Sequence, residues 1–155
     1  MTIDRIDVKI LKILQNQGDI ANSDLANKIS ISKTSCWNRT KRLRDEGYIQ
    51  HIGAVLDPDK LGLSVLVYVG VILERSTANS FTIFEEAVQK IPVIMECVLL
   101  TGDFDYWMKI RVKDIHAFKR LYANVLLSLP GVQQLRSFFT LGEVKTNNGL
   151  VIESL

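Results

Sequence analysis

The stretch from Ala21 to Gly47, ANSDLANKISISKTSCWNRTKRLRDEG, constrains the chain more than any other, because it holds two helical patterns, a tight join and a block of positive charge. Asn22 or Ser23 can cap the first helix, Asp24 sits in its first turn, and Leu25, Ala26 and Ile29 fall on one side at helical spacing. The join Ser30-Ile31-Ser32 offers Ile31 to the interior and Ser32 as the N-cap of a second helix that starts at about Lys33. A turn this tight favours a left-handed backbone at Ser30, at a cost of about 1 kcal/mol for a residue other than glycine. The sequence therefore implies either a slightly strained turn or a different geometry.

On the second helix Cys36, Thr40 and Leu43 recur at i, i+4 and i+7 and form a narrow packing face. A rotation of about 100° per residue then puts Thr34, Asn38 and Lys41 opposite Cys36, with Ser35 and Arg42 beside them. These side chains suit double-stranded DNA: Asn pairs with adenine, Arg and Lys with guanine, Ser and Thr with phosphate or base. Lys33, Thr34, Ser35, Trp37, Asn38, Arg39, Lys41 and Arg42 are the candidate DNA contacts. From Leu25 to Arg44 there are basic residues at 28, 33, 39, 41, 42 and 44 and no acidic one. A charge run alone describes many solvated helix surfaces. The cap, the turn and the small Ala26 at the helix crossing make DNA binding the better account.

Thr2 can cap an earlier helix from about Ile3, in which Ile6, Ile10, Ile13 and Leu14 share a face up to Gly18. Three helices let a helix-turn-helix bury faces that short helices cannot stabilise alone. Tyr48 to Leu56 reads as an extended stretch, and Asp57-Pro58-Asp59 as a turn or hinge. The expected division is residues 1–53 for DNA binding, 54–62 as linker strand and hinge, and 63–155 as a second domain. In that domain Leu63 to Leu73 is an apolar strand, Ser80 to Ile91 a helix with Phe81, Phe84, Ala87, Val88 and Ile91 inward, and Val93 to Thr101 a strand. Gly102 to Asp105 is a tight turn. Tyr106 to Val112 is a two-faced strand, Ile115 to Leu129 a helix with Phe118, Leu121, Tyr122, Val125 and Leu129 inward, and Val132 to Lys145 the last strand. The fold class is α+β: a winged-helix-like helix-turn-helix followed by a ferredoxin-like βαββαβ domain. Two helices cover one sheet face, which leaves the other apolar and open. The expected cover is a second copy in a two-fold dimer, with Val67 or Val69 facing the partner.

A hydrophobic fraction of 47% with 23% charged residues supports real cores, and a net charge of +2 is too small for wholesale coating of nucleic acid. Cys36 and Cys97 are too few for a disulfide framework. No apolar run approaches the roughly 20 residues of a membrane span, and charges at Asp4, Arg5, Asp7 and Lys9 break up the start, so the chain is expected in the cytoplasm and off the membrane. His51 and His116 stand near no candidate Cys or carboxylate cluster, and no phosphate loop or metal spacing is present. No enzyme is expected, no metal and no cofactor.

In order along the chain, Ile6-Asp7, Leu25-Ala26, Ile31-Ser32-Lys33-Thr34, Arg39 with Lys41-Arg42-Leu43, Glu46-Gly47-Tyr48-Ile49, Leu61-Gly62, Thr101-Gly102-Asp103-Phe104-Asp105-Tyr106, Leu129-Pro130-Gly131-Val132 and Val144-Lys145 resemble the Lrp/AsnC (leucine-responsive, feast/famine) family of transcriptional regulators. The resemblance covers essentially the whole chain. It implies a sequence-specific regulator whose second half is an effector-binding RAM domain, homodimers that assemble to octamers, and an amino acid bound between neighbouring dimers. Carried over residue by residue, the effector contacts are Leu100, Thr101, Gly102, Asp103, Asp105 and Ser137. The residues agree with this: a glycine turn can offer N–H groups to a carboxylate, and an aspartate can take an ammonium, although a plain turn would look the same. Phe138 stands where the family usually has a small hydroxyl residue. An architectural DNA-compacting protein without effector remains the alternative, and a small ferredoxin-like enzyme the rival from another class.

Overall fold

The computed structural model describes residues 3–74, 79–146 and 149–152. Its contacts form two compact units, Met1–Val55 with Lys145–Leu155 and Leu56–Val144. The first holds α1 (Arg5–Leu14), α2 (Asn22–Ile29) and α3 (Lys33–Asp45), packed on buried Ile10, Leu14, Leu25, Ala26, Ile29, Cys36 and Leu43. Within this unit the Gln15 side-chain amide and the Leu150 backbone exchange two hydrogen bonds of 3.1 and 3.0 Å, which hold the C-terminal segment against α1.

The helix starts follow local chemistry. Thr2, the expected cap of α1, lies outside the described residues; the cap is Asp4, whose carboxylate accepts from the Ile6 and Asp7 N–H groups while Asp7 accepts from the Asp4 N–H at 3.0 Å. This reciprocal pair satisfies three otherwise orphaned donors. The N-cap position of α2 is Ala21, ahead of the expected caps Asn22 and Ser23, and it makes no side-chain cap bond. Asn22 is already helical, and its amide instead donates to the Lys33 carbonyl at 2.9 Å, tying the starts of α2 and α3 together. Ser30 adopts φ 59°, the only positive φ at a non-glycine among the described residues. The strained alternative is the one the chain takes, and it lets Ile31 N–H bond back to Ala26 at 3.1 Å. Ser32 caps α3 by accepting from the Ser35 N–H at 3.1 Å. Residues 49–57, expected to contain a linker strand, join no ladder.

The second unit runs β1 (Val65–Leu73), α4 (Ser80–Val88), β2 (Ile94–Leu99), β3 (Tyr106–Val112), α5 (Ile115–Asn124), a 3-10 turn (Leu126–Ser128) and β4 (Val132–Phe139). The sheet order is β2-β3-β1-β4, antiparallel throughout, with α4 and α5 on one face: the expected βαββαβ plan. Five elements are shorter than expected: β1 starts only at Val65, β2 is confined to Ile94–Leu99, and α4, α5 and β4 end early. β4 stops at Phe139, opposite Val67 and two residues before β1 ends at Val65, and beyond it Thr140 N–H finds one more carbonyl, that of Leu66 at 3.0 Å. After Val88 the chain tightens to i→i+3 bonds. α5 breaks at Val125 (φ −124°), which rotates Leu126 into the fully buried position that periodicity had assigned to its neighbour.

The two sheet faces separate cleanly by the period of two. Val67, Val69, Val71 and Leu73 of β1 and Tyr106, Met108, Ile110 and Val112 of β3 face the helices, where each buried side chain contributes about 1.5–3 kcal/mol. This corrects the expectation that Val67 or Val69 faces a partner. In a nearly all-apolar strand the hydrophobic pattern does not say which alternate set is inside, and one residue of offset exchanges the faces. The helix-free face carries Tyr68 and Gly70 of β1, Trp107 of β3 and Phe138 of β4. Phe104 lies across Gly70 so closely that a Cβ there would come within 2.6 Å of its ring.

Candidate nucleic-acid interface and effector loop

The outward face of α3 is set by its interior contacts. Cys36 and Leu43 are fully buried, and Lys33, Thr34, Trp37, Asn38, Lys41 and Arg44 are exposed. Ser35, Arg39 and Arg42 are half-buried. Arg39 donates to Asp4 at 2.7 Å and Asp7 at 2.8 Å, and Arg42 donates to the other Asp7 oxygen at 2.5 Å. Asp7 is 1% exposed and thus joins α1 to α3 from inside. The Asp7 backbone N–H, and after it the Arg39 guanidinium, hold the Asp4 carboxyl at about 2, and the two carboxylates push Arg39 upward. Burial raises the Cys36 thiol, and raises Cys97 to about 11.

Of the eight candidate DNA contacts, Lys33, Thr34, Trp37, Asn38 and Lys41 therefore share an open face with Ser35 at its edge, and Arg39 and Arg42 turn toward α1. Relative to a face drawn opposite Cys36, the open side is rotated by roughly 40° toward Trp37. Trp37 is 54% exposed, and the Lys41 ammonium lies 5.3 Å from its ring centroid. Trp37 and Lys41 themselves line a groove of about 470 Å³, with Leu14, Ile20 and Leu25 as its apolar wall and Arg44 at its rim. Sequence reasoning missed Arg44 and the part played by Asp7. The Asp4/Asp7 capping spacing was available as a signal; the reach of Asp7 to residues 32 and 35 positions away was not.

In the second unit, Leu100, Thr101, Gly102 and Asp103 are exposed on the β2–β3 hairpin, with Gly102 at φ 136°. Asp105 is not part of that open surface: it is 6% exposed, its carboxylate accepts the Leu73 N–H at 2.9 Å, and its own N–H donates to the Val71 carbonyl at 2.9 Å. Ser137 is brought elsewhere. It lies on edge strand β4, with β1 between it and the hairpin's β3, and it lines a shallow groove of about 320 Å³ with Phe118, Lys119 and Tyr122 of α5. Phe138 points to the opposite face, 5.2 Å from the Trp107 ring. Among the described residues no group of three His, Cys, Asp or Glu side chains could hold a metal ion, and no helix is long and apolar enough to cross a membrane.

Residues 3–50 match the winged helix-turn-helix DNA-binding model, and residues 66–150 match the Lrp/AsnC ligand binding domain. The chain is 43% identical to the leucine-responsive regulatory proteins of Klebsiella pneumoniae and Escherichia coli over 152 residues, covering 98% of this chain and 93% of each relative. Its structure is similar to a transcriptional regulator of Neisseria meningitidis in complex with L-methionine (TM-score 0.91, 32% identity, 96% of both chains). It is also similar to an AsnC family regulator of Agrobacterium tumefaciens (TM-score 0.89, 32% identity, 96% of both chains).

Proposed function

The chain belongs to the Lrp/AsnC family of transcriptional regulators, and from that premise we propose that α3 enters the major groove of double-stranded DNA and reads it with Thr34, Trp37, Asn38 and Lys41. It is a DNA-binding regulator with an amino-acid effector domain and not an enzyme. Lys33 and Ser35, at the N-terminal turn of α3, hold phosphate, where free N–H groups and the helix dipole favour an anion. Arg39 and Arg42 set the angle of α3 through Asp7. The observation that carries this reading is the open side of α3: Lys33, Thr34, Asn38 and Lys41 are all exposed there, and none is paired with a carboxylate among the described residues.

Asn38→Ala should weaken binding to the operator by about 1–3 kcal/mol, because a bidentate adenine contact is lost. Lys28→Ala should lower affinity for all duplexes alike and flatten the salt dependence. Gel shifts on operator and scrambled DNA distinguish the two, and an unchanged operator-to-scrambled ratio for Asn38→Ala would reject the assigned face.

The effector is an amino acid, as in the methionine complex of the Neisseria relative. The exposed Leu100–Asp103 turn is its receiving edge: the backbone around Gly102 meets the carboxylate, and Asp103 with neighbouring carbonyls meets the ammonium. Asp105 supports this turn from within. Ser137 serves a site completed by a neighbouring copy, since one chain does not bring it to the turn. Homodimers joined through the helix-free sheet faces, assembling further to octamers, would provide that neighbour. The working compartment is that of the DNA, the cytoplasm.

A further inference from the structure

The open face of α3 is basic and polar except at one place. Trp37 exposes more than half of its surface in the middle of that face, with Thr34 and Asn38 to one side and Lys33, Lys41 and Arg44 around it. One side of the indole helps to line the groove walled by Leu14, Ile20 and Leu25, and the rest of it, more than half of the residue's surface, leaves apolar area in water. Among the described residues its ring stands against a cation, the Lys41 ammonium at 5.3 Å one turn along the helix. In the major groove of B-DNA the base edges present hydrogen-bonding atoms and one apolar group, the C5-methyl of thymine.

Building on the groove-facing reading of α3 given above, we infer that Trp37 is a specificity-determining residue that selects thymine by its methyl group, and that Lys41, held over the indole, is its positioning cation. The indole supplies a rigid apolar plate with two rotatable bonds. The ammonium above it limits the plate's rotation and is itself kept within about one helical turn, so that it meets guanine O6/N7 or a phosphate beside the selected thymine. Thr34 and Asn38 then read the flanking pairs by hydrogen bonds.

The test uses the full chain and duplexes selected from a random library by the wild-type protein. Each conserved thymine of the selected site is replaced in turn by deoxyuridine, which removes the methyl and keeps every hydrogen-bonding atom. Wild type should lose about three- to tenfold in affinity at one position per half-site. Trp37→Ala should bind thymine and deoxyuridine equally there, Trp37→Phe should keep a reduced preference, and Lys41→Gln should diminish it while Lys41→Arg restores it. Thermal melting of each variant establishes that it is folded, and Trp37→Phe carries the test if Trp37→Ala is not. Wild type that ignores the methyl at every position, or a folded Trp37→Ala that stays as methyl-sensitive as wild type, overturns the inference. A wild type that enriches no sequence at all overturns the groove-facing reading itself and this inference with it.

Discussion

The Asp105 carboxylate accepts the Leu73 N–H inside the sheet, and the Asp105 backbone bonds both Val71 and Leu100, so one residue joins the ends of β1, β2 and β3. Asp103, two positions earlier, is exposed. The same carboxylate chemistry thus does two jobs. Asp105→Ala leaves a buried amide without its acceptor and should destabilise the second unit by about 1–3 kcal/mol, seen as a lower Tm. Asp103→Ala should leave the melting temperature of the free protein within the small range usual for surface changes, about 0.5 kcal/mol, but abolish the rise in Tm that the best-bound amino acid produces. A full amino-acid shift retained by Asp103→Ala would move the effector away from this turn. From the sequence, Gly102-Asp103-Phe104-Asp105 was legible as a turn with two acids in it, and Ser30 as a candidate strained residue. Which acid turns inward was not, because that depends on the Leu73 amide, which lies 32 residues away in the chain.

At the scale of the element, α3 is oriented from two sides. Buried Cys36 and Leu43 fix its depth, and the Asp7 carboxylate, gripping Arg39 and Arg42 one turn apart, fixes its rotation. A hydrophobic contact alone would tolerate some roll of a helix whose packed face is this narrow. Asp7→Asn removes the negative charge and leaves one amide oxygen where two carboxylate oxygens served two guanidiniums. Arg39 keeps Asp4 while Arg42 loses its carboxylate, and since both arginines remain partly exposed to water the loss should be about 2–3 kcal/mol, below that of a fully buried pair. The expected result is a lower midpoint of denaturation together with weaker specific DNA binding. Equal stability of Asp7→Asn and wild type would show that the apolar face alone sets the roll. Long periodic elements such as α4, α5 and β3 were legible because their patterns repeat several times. Element ends were less so, since β4 leaves its ladder opposite Val67 while β1 runs on to Val65, and α5 stops at the backbone of Val125, neither of which is a local signal.

For the whole molecule, the helix-free face decides whether one chain is enough. Tyr68, Phe104, Trp107 and Phe138 form a connected patch, with ring centroids 5.9 Å apart for Tyr68 and Trp107, 5.5 Å for Phe104 and Trp107, and 5.2 Å for Trp107 and Phe138. Ion pairs Lys109–Glu96 and Arg111–Glu143 lie toward its rim. An aromatic centre with a charged margin is the anatomy of a protein interface, and a two-fold axis through it would bury one patch against its copy. The sequence made an uncovered apolar face legible, but placed Val67 and Val69 on it. The observed register sharpens the experiment, because the two faces now predict opposite outcomes. Val69→Glu drives a carboxylate into the helix-covered core and should unfold the second unit. Trp107→Glu puts the charge on the open face, so the single chain should remain folded by circular dichroism while an interface that had to bury the charge would weaken by several kcal/mol, two or more powers of ten in Kd. Sedimentation at micromolar concentration should therefore show wild-type oligomers and Trp107→Glu monomers. Because two half-sites are held only by paired recognition helices, the same variant should lose binding to a two-fold operator more than to a single half-site. A Trp107→Glu protein that sediments as wild type does would place the partner on another surface.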